Sequence, residues 1–331
     1  MERLAQLEHW LQSLFPGESI ALAPASSDAS FRCYFRIRLV GGGSRIVMDA
    51  PPGREDCGAF LRVARLFAAA GVHVPEILAE DTTQGFLLLS DLGATTYLQA
   101  LADGDADALY RDAIMALVQI QRASRAGVLP EYDEALLQRE MRLFPEWYLI
   151  KQRQAVPTPA QQETLDRLFA LLLRNNLSQP RVFVHRDYHS RNLMASDPNP
   201  GILDFQDAVI GPVTYDLVSL LKDAYIDWEE AQVLDWAIRY WEQAKAAALP
   251  VSWDFAEFYR DFEWMGVQRH LKVLGIFARL AHRDGKTSYL NDMPRVWTYL
   301  HKTCARYTEL RPLARLLEQL ENQPLRTGYT F

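Results

Sequence analysis

The sequence predicts a two-lobed α+β protein, with a small mixed lobe over residues 1–92 and a mainly helical lobe over residues 93–331. Three observations predict it. The chain has 331 residues, more than the roughly 250–300 at which one hydrophobic core stops growing. Apolar alternation of period two occurs in the first ninety residues, and the remainder runs in helical patterns broken by short apolar strands. The opening MERLAQLEHWLQSLF carries charges throughout and sets Leu4, Leu7, Leu11 and Leu14 at helical spacing. It reads as an amphipathic helix, neither a signal peptide nor a span. Next, Phe31, Cys33, Phe35, Ile37 and Leu39 alternate with Arg32, Tyr34, Arg36 and Arg38, as in a strand. Gly41, Gly42 and Gly43 make a turn, and Arg45 to Met48 returns as a second strand ended by Pro51 and Pro52. Glu55 to Ala70 is expected to be helical, His73 to Ala79 extended, and Gly85 to Leu89 a strand leading into Ser90, Asp91, Leu92 and Gly93.

Composition points to a cytoplasmic globular protein. Apolar residues make up 49% and charged residues 23% of the chain, both ordinary. A formal charge of −7 argues against a partner held through its phosphate backbone, so nucleic acid is not expected. Neither a membrane nor an obligate protein partner is expected. Cys33, Cys57 and Cys304 are widely separated without CxxC spacing, which suits a reducing compartment and argues against a disulfide framework or a zinc site.

The chemistry is concentrated in VFVHRDYHSRNLM, from Val182 to Met194, and GILDFQDAVIGPVTYDL, from Gly201 to Leu217. Asp187 follows an HxD pattern, Asn192 lies five residues later and Asp204 twelve beyond that. This is a phosphoryl-transfer signature, the order in which HRDxxxxN and a second Asp serve protein kinases. A hydroxyl attacking a γ-phosphate needs a carboxylate to orient it and accept its proton, the role expected of Asp187. Mg2+ takes oxygen ligands, commonly one or two carboxylates beside phosphate oxygens and waters, so Asn192 and Asp204 are the expected metal residues. Asp207 is expected to reach the same metals or to cap the following turn. Asp216, at a helix start, is expected to orient backbone amides of the catalytic loop. His185 and His189 stand four apart like a zinc pair, but the preceding Val-Phe-Val is a strand signal and no third ligand follows. His185 reads instead as a buried scaffold residue.

Other patterns carry less. Asp103, Asp105 and Asp107 imitate a calcium loop but lack its Gly and Glu, and read as a helix N-terminus. Asn176-Leu177-Ser178 matches a glycosylation acceptor without a secretory signal. Trp253, Phe255, Phe258, Tyr259, Phe262 and Trp264 recur at helical spacing and read as core rather than as a stacking platform.

From about Ala23 to His301 the chain resembles the aminoglycoside phosphotransferase superfamily, whose catalytic segment reads HGDxxxxN followed by IDFxDA and YDL. ASSDASFRCYFR, IVMDAPP, GVHVPEILAED and GFLLLSDLG resemble, within it, the bacterial anomeric amino-sugar kinases of peptidoglycan recycling. The resemblance implies a bilobal protein-kinase-like fold with ATP and Mg2+ as cofactors. It also implies phosphorylation of the C1 hydroxyl of N-acetylmuramic acid and N-acetylglucosamine, with Asp187, Asn192 and Asp204 in the roles above. Two alternatives stay open: another small-molecule kinase, of aminoglycoside, choline or homoserine type, because fold does not fix substrate, and an ATP-binding pseudokinase module.

The nucleotide side departs from the family pattern. Ser26 to Ser30 stand where a glycine-rich phosphate loop is expected, and the strand that should carry a phosphate-binding lysine reads Ile46-Val47-Met48-Asp49, with no lysine before Lys151. Ser27, Ser30, Arg32 and Arg36, with Leu89 and Asp91 at the end of the lobe, are therefore the nucleotide candidates. Glu55 sits where the missing lysine's partner is expected. Trp147, Tyr148, His189 and Arg269 are the sugar candidates, the aromatic rings for a pyranose face and Arg269 for a lactyl carboxylate.

Overall fold

Period-two alternation in the first ninety residues folds into an antiparallel sheet in the computed structural model, which describes residues 2–27, 31–102 and 104–321. Helix α1 (Glu2–Leu14) precedes strands β1 (Ala23–Ser27), β2 (Cys33–Arg38) and β3 (Ser44–Asp49), helix α2 (Cys57–Ala69), and strands β4 (Ile77–Asp81) and β5 (Phe86–Ser90). The sheet order is β1-β2-β3-β5-β4. β1 escapes sequence reasoning because Ala23-Pro24-Ala25-Ser26-Ser27 has no β-branched or aromatic residue. It forms at a sheet edge, where a proline is tolerated, with an irregularity between Pro24 and Ser26.

One face of the sheet is covered by α1: Leu7, Trp10 and Leu11 are buried with Ile37, Val47, Phe86 and Leu88. Each such side chain contributes about 1.5–3 kcal/mol. The expected leucine stripe is corrected here. Leu4 and Leu14 are exposed, and Trp10 takes their place because i, i+3, i+4 defines the narrower face that meets the sheet. Phe31 is 60% exposed, so β2 starts two residues later than expected. Arg3 fastens α1 further, its Nε donating to Asp49 at 2.9 Å and its guanidinium lying 4.2 Å from the Phe86 ring centre. Asp56 caps α2 by accepting from the Gly58 amide at 2.7 Å, worth about 1 kcal/mol.

The chain continues through α3 (Tyr97–Ala100), α4 (Ala106–Arg122), α5 (Glu134–Leu143), a π-helix (Phe144–Gln152), α6 (Pro159–Ser178), β6 (Arg181–Val184), β7 (Leu193–Met194), β8 (Gly201–Ile202), β9 (Val209–Pro212), α7 (Tyr215–Leu221), α8 (Glu230–Ala246), α9 (Phe255–Asp284), a 3-10 turn (Thr287–Asp292), α10 (Met293–Arg306) and α11 (Arg311–Glu321). β6 pairs with β9 and β7 with β8, both antiparallel. Asp105 accepts from the Ala108 amide at the start of α4, while Asp103 lies outside the described residues. Asn176 is buried within α6. Phe258, Phe262 and Trp264 are buried along α9, whereas Trp253 is exposed. Gly275 lets α9 and Leu143 meet backbone to backbone, since a Cβ there would lie 2.4 Å from the Leu143 carbonyl carbon. No helix among the described residues is long and apolar enough to cross a membrane.

The compact units do not divide at one point of the chain. One comprises Met1–Ala113 with Asn192–Asp207, the other Ile114–Arg191 with Ala208–Phe331. Asp187 therefore belongs to the second unit, and Asn192 and Asp204 to the first.

Candidate active site

In the second unit the buried apolar strand β6 delivers the chain to His185, which is fully buried and accepts from the Asp187 amide through Nδ1 at 3.2 Å. Asp216, at the first turn of α7, accepts from the His185 and Arg186 amides at 2.6 and 3.0 Å. The expected orienting role of Asp216 is thus observed. Burial pushes its carboxyl up to about 7, opposed by those two amides and by Arg269. Seven residues on, Asp223 accepts from the Ser190 amide at 2.9 Å and from the Ser190 hydroxyl at 2.5 Å, holding the far side of the loop. Sequence reasoning missed Asp223. Its signal was a second acidic residue just past the apolar α7, whose first turn carries Asp216.

Arg186 has φ of +79°, a left-handed conformation that costs a non-glycine residue on the order of 1–3 kcal/mol and persists when its surroundings hold it. They do so here. Its Nη2 donates to Glu140 at 2.6 Å, its guanidinium faces the Tyr132 ring, and its carbonyl accepts from Arg269 Nη1 at 2.7 Å. Glu140 also receives Lys272 Nζ at 3.0 Å and the Tyr132 hydroxyl. Burial raises the Glu140 carboxyl, but Lys272 and Arg186 outweigh it and hold it below the usual range. Arg269 and Lys272 each donate to the Tyr215 hydroxyl, at 3.1 and 3.0 Å. Glu140 and Lys272 were also missed, although two cations three residues apart within the apolar stretch Trp264–Leu274 mark a buried network.

Asp187 sits beside this network with its side chain 41% exposed and Arg269 Nη2 at 3.7 Å. Desolvation pushes its carboxyl up, yet Lys272, Arg269, His189 and Arg186 together pull harder and hold it well below the usual carboxylate range. The group is an ionised hydrogen-bond acceptor open to solvent. His189 is held below its ordinary value by burial and meets Tyr225 edge-on at 5.3 Å. Of the other sugar candidates, Tyr148 is buried with its ring stacked on Phe144 at 5.3 Å, Trp147 is half-buried on the same π-helix, and Arg269 is buried and committed as described.

In the first unit β7 and β8 form a hairpin, Leu193 opposite Ile202, and the Leu203 amide donates to the Asn192 carbonyl at 2.9 Å. This closure brings Asn192 Nδ2 to 3.3 Å from Asp204 Oδ2. Asp204 has φ of +62°, which Asp tolerates better than most residues, and its Oδ1 accepts from Gln206 Nε2 at 2.7 Å. Phe205 anchors the turn between Phe60 and Phe67 of α2, at 4.9 and 5.9 Å. One carboxylate and one amide at a single hairpin mouth fit the donor set that Mg2+ takes beside phosphate oxygens. Asp207 is exposed.

The nucleotide candidates are arranged unequally. Arg36 donates to both Asp91 oxygens, at 2.6 and 3.0 Å, and to the Gly93 carbonyl at 2.7 Å. Asp91 further accepts from Ser44 at 2.6 Å and the Gly93 amide at 3.0 Å, and these donors hold its carboxyl low against burial. Arg32 Nε lies 3.4 Å from Glu55, whose other oxygen accepts from the Phe31 amide at 3.0 Å. Leu89 is buried mid-sheet between Ile46 and Ile77. Ser27 ends β1 opposite Cys33, and Ser30 lies outside the described residues.

A model of the phosphotransferase enzyme family matches residues 21–251. The N-acetylmuramate/N-acetylglucosamine kinase of Pseudomonas aeruginosa is 53% identical, covering 96% of this chain and 97% of that protein. That of Neisseria meningitidis is 50% identical over the whole of both chains. Among solved structures, a choline kinase from Streptococcus pneumoniae superposes with a TM-score of 0.66 at 13% identity, covering 93% of this chain and 100% of that one. An ADP-bound aminoglycoside phosphotransferase gives 0.60 at 14% identity, covering 90% and 98%. At such identities the structural likeness concerns the fold, which is the protein-kinase-like α+β fold expected from the sequence.

Proposed function

The chain belongs to the phosphotransferase enzyme family, and on that premise we propose that it transfers the γ-phosphoryl group of ATP to the anomeric C1 hydroxyl of N-acetylmuramic acid and N-acetylglucosamine, in the cytoplasmic recycling of cell-wall peptidoglycan. The observation that carries this reading is identity of 50% or more, over 96–100% of the chain, to relatives bearing that kinase name. Residues 1–92 serve as the nucleotide lobe, residues 93–331 as the catalytic and sugar lobe.

Asp187 accepts a hydrogen bond from the C1 hydroxyl, directs that oxygen's lone pair toward the γ-phosphorus and takes the proton as the new O–P bond forms and the bond to the β,γ-bridging oxygen breaks, releasing ADP. A carboxylate held low by neighbouring cations is a weak base, so its contribution is chiefly orientation, with proton transfer late in the step. Asn192 and Asp204 would hold Mg2+, which would supply positive charge against the phosphates of the nucleotide. Gln206 fixes the Asp204 carboxylate for that role. On the nucleotide side Arg36 is engaged by Asp91, whereas Arg32 pairs with Glu55 much as a phosphate-binding lysine pairs with its glutamate. Arg32 is the cation that replaces the missing lysine, with Ser27 and Ser30 contributing hydroxyls and the backbone at Leu89 and Asp91 meeting the base.

ADP release measured across amino sugars, choline, homoserine and aminoglycosides tests the reading. Turnover of the two amino sugars alone is expected, and turnover of an amino alcohol or aminoglycoside instead would overturn it.

A further inference from the structure

We propose that Arg191 reads an anionic substituent of the acceptor sugar and so sets the preference between N-acetylmuramate and N-acetylglucosamine. The inference rests on the functional reading above and adds a carboxylate subsite to it. Arg191 stands on the Asp187 loop, four residues after the base and within the same unit. Its guanidinium lies 3.6 Å from the centre of the Tyr225 ring and 5.9 Å from that of Tyr289. Stacking on an aromatic face fixes the plane of a guanidinium while leaving its N–H edges able to donate. The side chain remains 43% exposed, with Asp292 Oδ2 only at the 4.0 Å limit of an ion pair.

The neighbouring charges leave room for an anion. Asp292 Oδ1 is already engaged by Arg295 Nη1 at 3.2 Å, and Asp227 by Arg295 Nε at 3.2 Å. Asp223 is consumed by Ser190 and by the Tyr225 amide at 3.0 Å. His189, which meets Tyr225 edge-on, is held below its ordinary value by burial. The remaining cations of the loop's surroundings are spent: Arg186 and Lys272 on Glu140, Arg269 on the Arg186 carbonyl and Tyr215. Arg191 keeps a partly exposed guanidinium on the loop that carries Asp187, and Tyr225 feels the charges of both residues. The two proposed sugars differ by one group, a lactyl ether bearing a carboxylate where N-acetylglucosamine has a hydroxyl, and a planar fork of N–H donors matches a carboxylate bidentately. Tyr225, with Tyr289 beyond it, gives the same wall an aromatic face for the pyranose.

The test is the ratio of kcat/KM for the two sugars in the wild type, Arg191→Ala and Arg191→Lys, with N-acetylmuramate methyl ester as an uncharged third substrate. In Arg191→Ala the KM for N-acetylmuramate should rise about 10- to 100-fold, while the parameters for N-acetylglucosamine and the KM for ATP change less than about twofold. Arg191→Lys should recover part of the loss, and the wild type should treat the methyl ester as it treats N-acetylglucosamine. An equal loss with both sugars, a raised KM for ATP, or an unaltered ratio would overturn the subsite while leaving the kinase reading intact. Wild-type inactivity toward both sugars would overturn that reading and the subsite with it.

Discussion

Arg269 Nη1 donates to the carbonyl of Arg186 at 2.7 Å, so a cation on the thirty-residue α9 fixes the left-handed peptide immediately before Asp187. The same guanidinium lies 3.7 Å from the Asp187 carboxylate. Position and charge of the Asp187 carboxylate therefore depend on one residue. Arg269→Gln should lower kcat about 10- to 100-fold with little change in the KM for ATP. Because a cation that depresses the Asp187 pKa is lost, the acid limb of the kcat profile should move to higher pH. A loss of kcat with an unmoved acid limb would separate positioning from charge. Asp187→Asn, which keeps shape but not charge, should lower kcat by about 10² to 10⁴ with nucleotide binding preserved.

The Asn192–Asp204 hairpin makes a different prediction. Asp204→Ala removes the one carboxylate of the expected metal set, so both turnover and the affinity for the magnesium–nucleotide complex should fall, with a higher Mg2+ concentration needed for half-maximal rate. Mg2+ titration of the rate, and titration of nucleotide binding by calorimetry with and without Mg2+, measure this. Unchanged Mg2+ dependence would remove Asp204 from the site.

Two arginines of the first unit should separate cleanly. Arg36→Ala strips the Asp91 carboxylate, whose side chain is 6% exposed, of its bidentate partner and should destabilise the protein by about 1.5–3 kcal/mol. Arg32→Ala should instead raise the KM for ATP with a small change in stability. Thermal unfolding read beside ATP kinetics distinguishes them, and an Arg32→Ala enzyme with an unaltered KM for ATP would end the lysine-replacement idea.

The reach of sequence reasoning follows from the range of the interactions involved. The spacing of Asp187, Asn192 and Asp204 can be read because it falls within 18 residues of chain, and the place of Asp216 because a helix start after an apolar strand is a local pattern. The strands β2, β3 and β5 were legible from alternation. β1 was not, since Pro24 and its serine neighbours have no strand propensity and pair only because an edge is available. The pairing of Glu140 with Lys272 was not legible for a related reason: it joins, at 3.0 Å, positions 132 residues apart, and nothing local specifies which carboxylate the cations of α9 meet. Arg36 was read as a phosphate ligand from its strand face, but its carboxylate partner lies 55 residues on.

His270 gives the stability prediction. It is 1% exposed, donates toward the Lys222 carbonyl at 3.2 Å, and burial with the Lys222 cation pushes its pKa down to about 3. An unfolded histidine titrates near 6.5. The folded value is depressed, so below about pH 6.5 the unfolded chain takes up a proton that the folded one refuses. Stability is full above that pH and falls as pH drops toward 3, with about 2 kcal/mol lost by pH 5. Urea unfolding at pH 7.5 and 5 should show this loss in the wild type and a smaller pH dependence in His270→Gln. An equal pH dependence in both would refute the assignment.

The position of phosphorylation is tested through the substrate's own chemistry. If C1 carries the attacking hydroxyl, that hydroxyl must be unsubstituted to meet the Asp187 carboxylate and the γ-phosphate together. Methyl glycosides of both amino sugars should therefore not be phosphorylated, although their remaining hydroxyls and acetamido groups are intact. N-acetylmuramate and N-acetylglucosamine should each yield a 1-phosphate, identified by coupling between phosphorus and the anomeric proton in the NMR spectrum. Choline and kanamycin should release no ADP above background. A 6-phosphate product, or a methyl glycoside turned over at the rate of the free sugar, would move the reaction to another hydroxyl and leave Asp187 as the base of a differently oriented sugar.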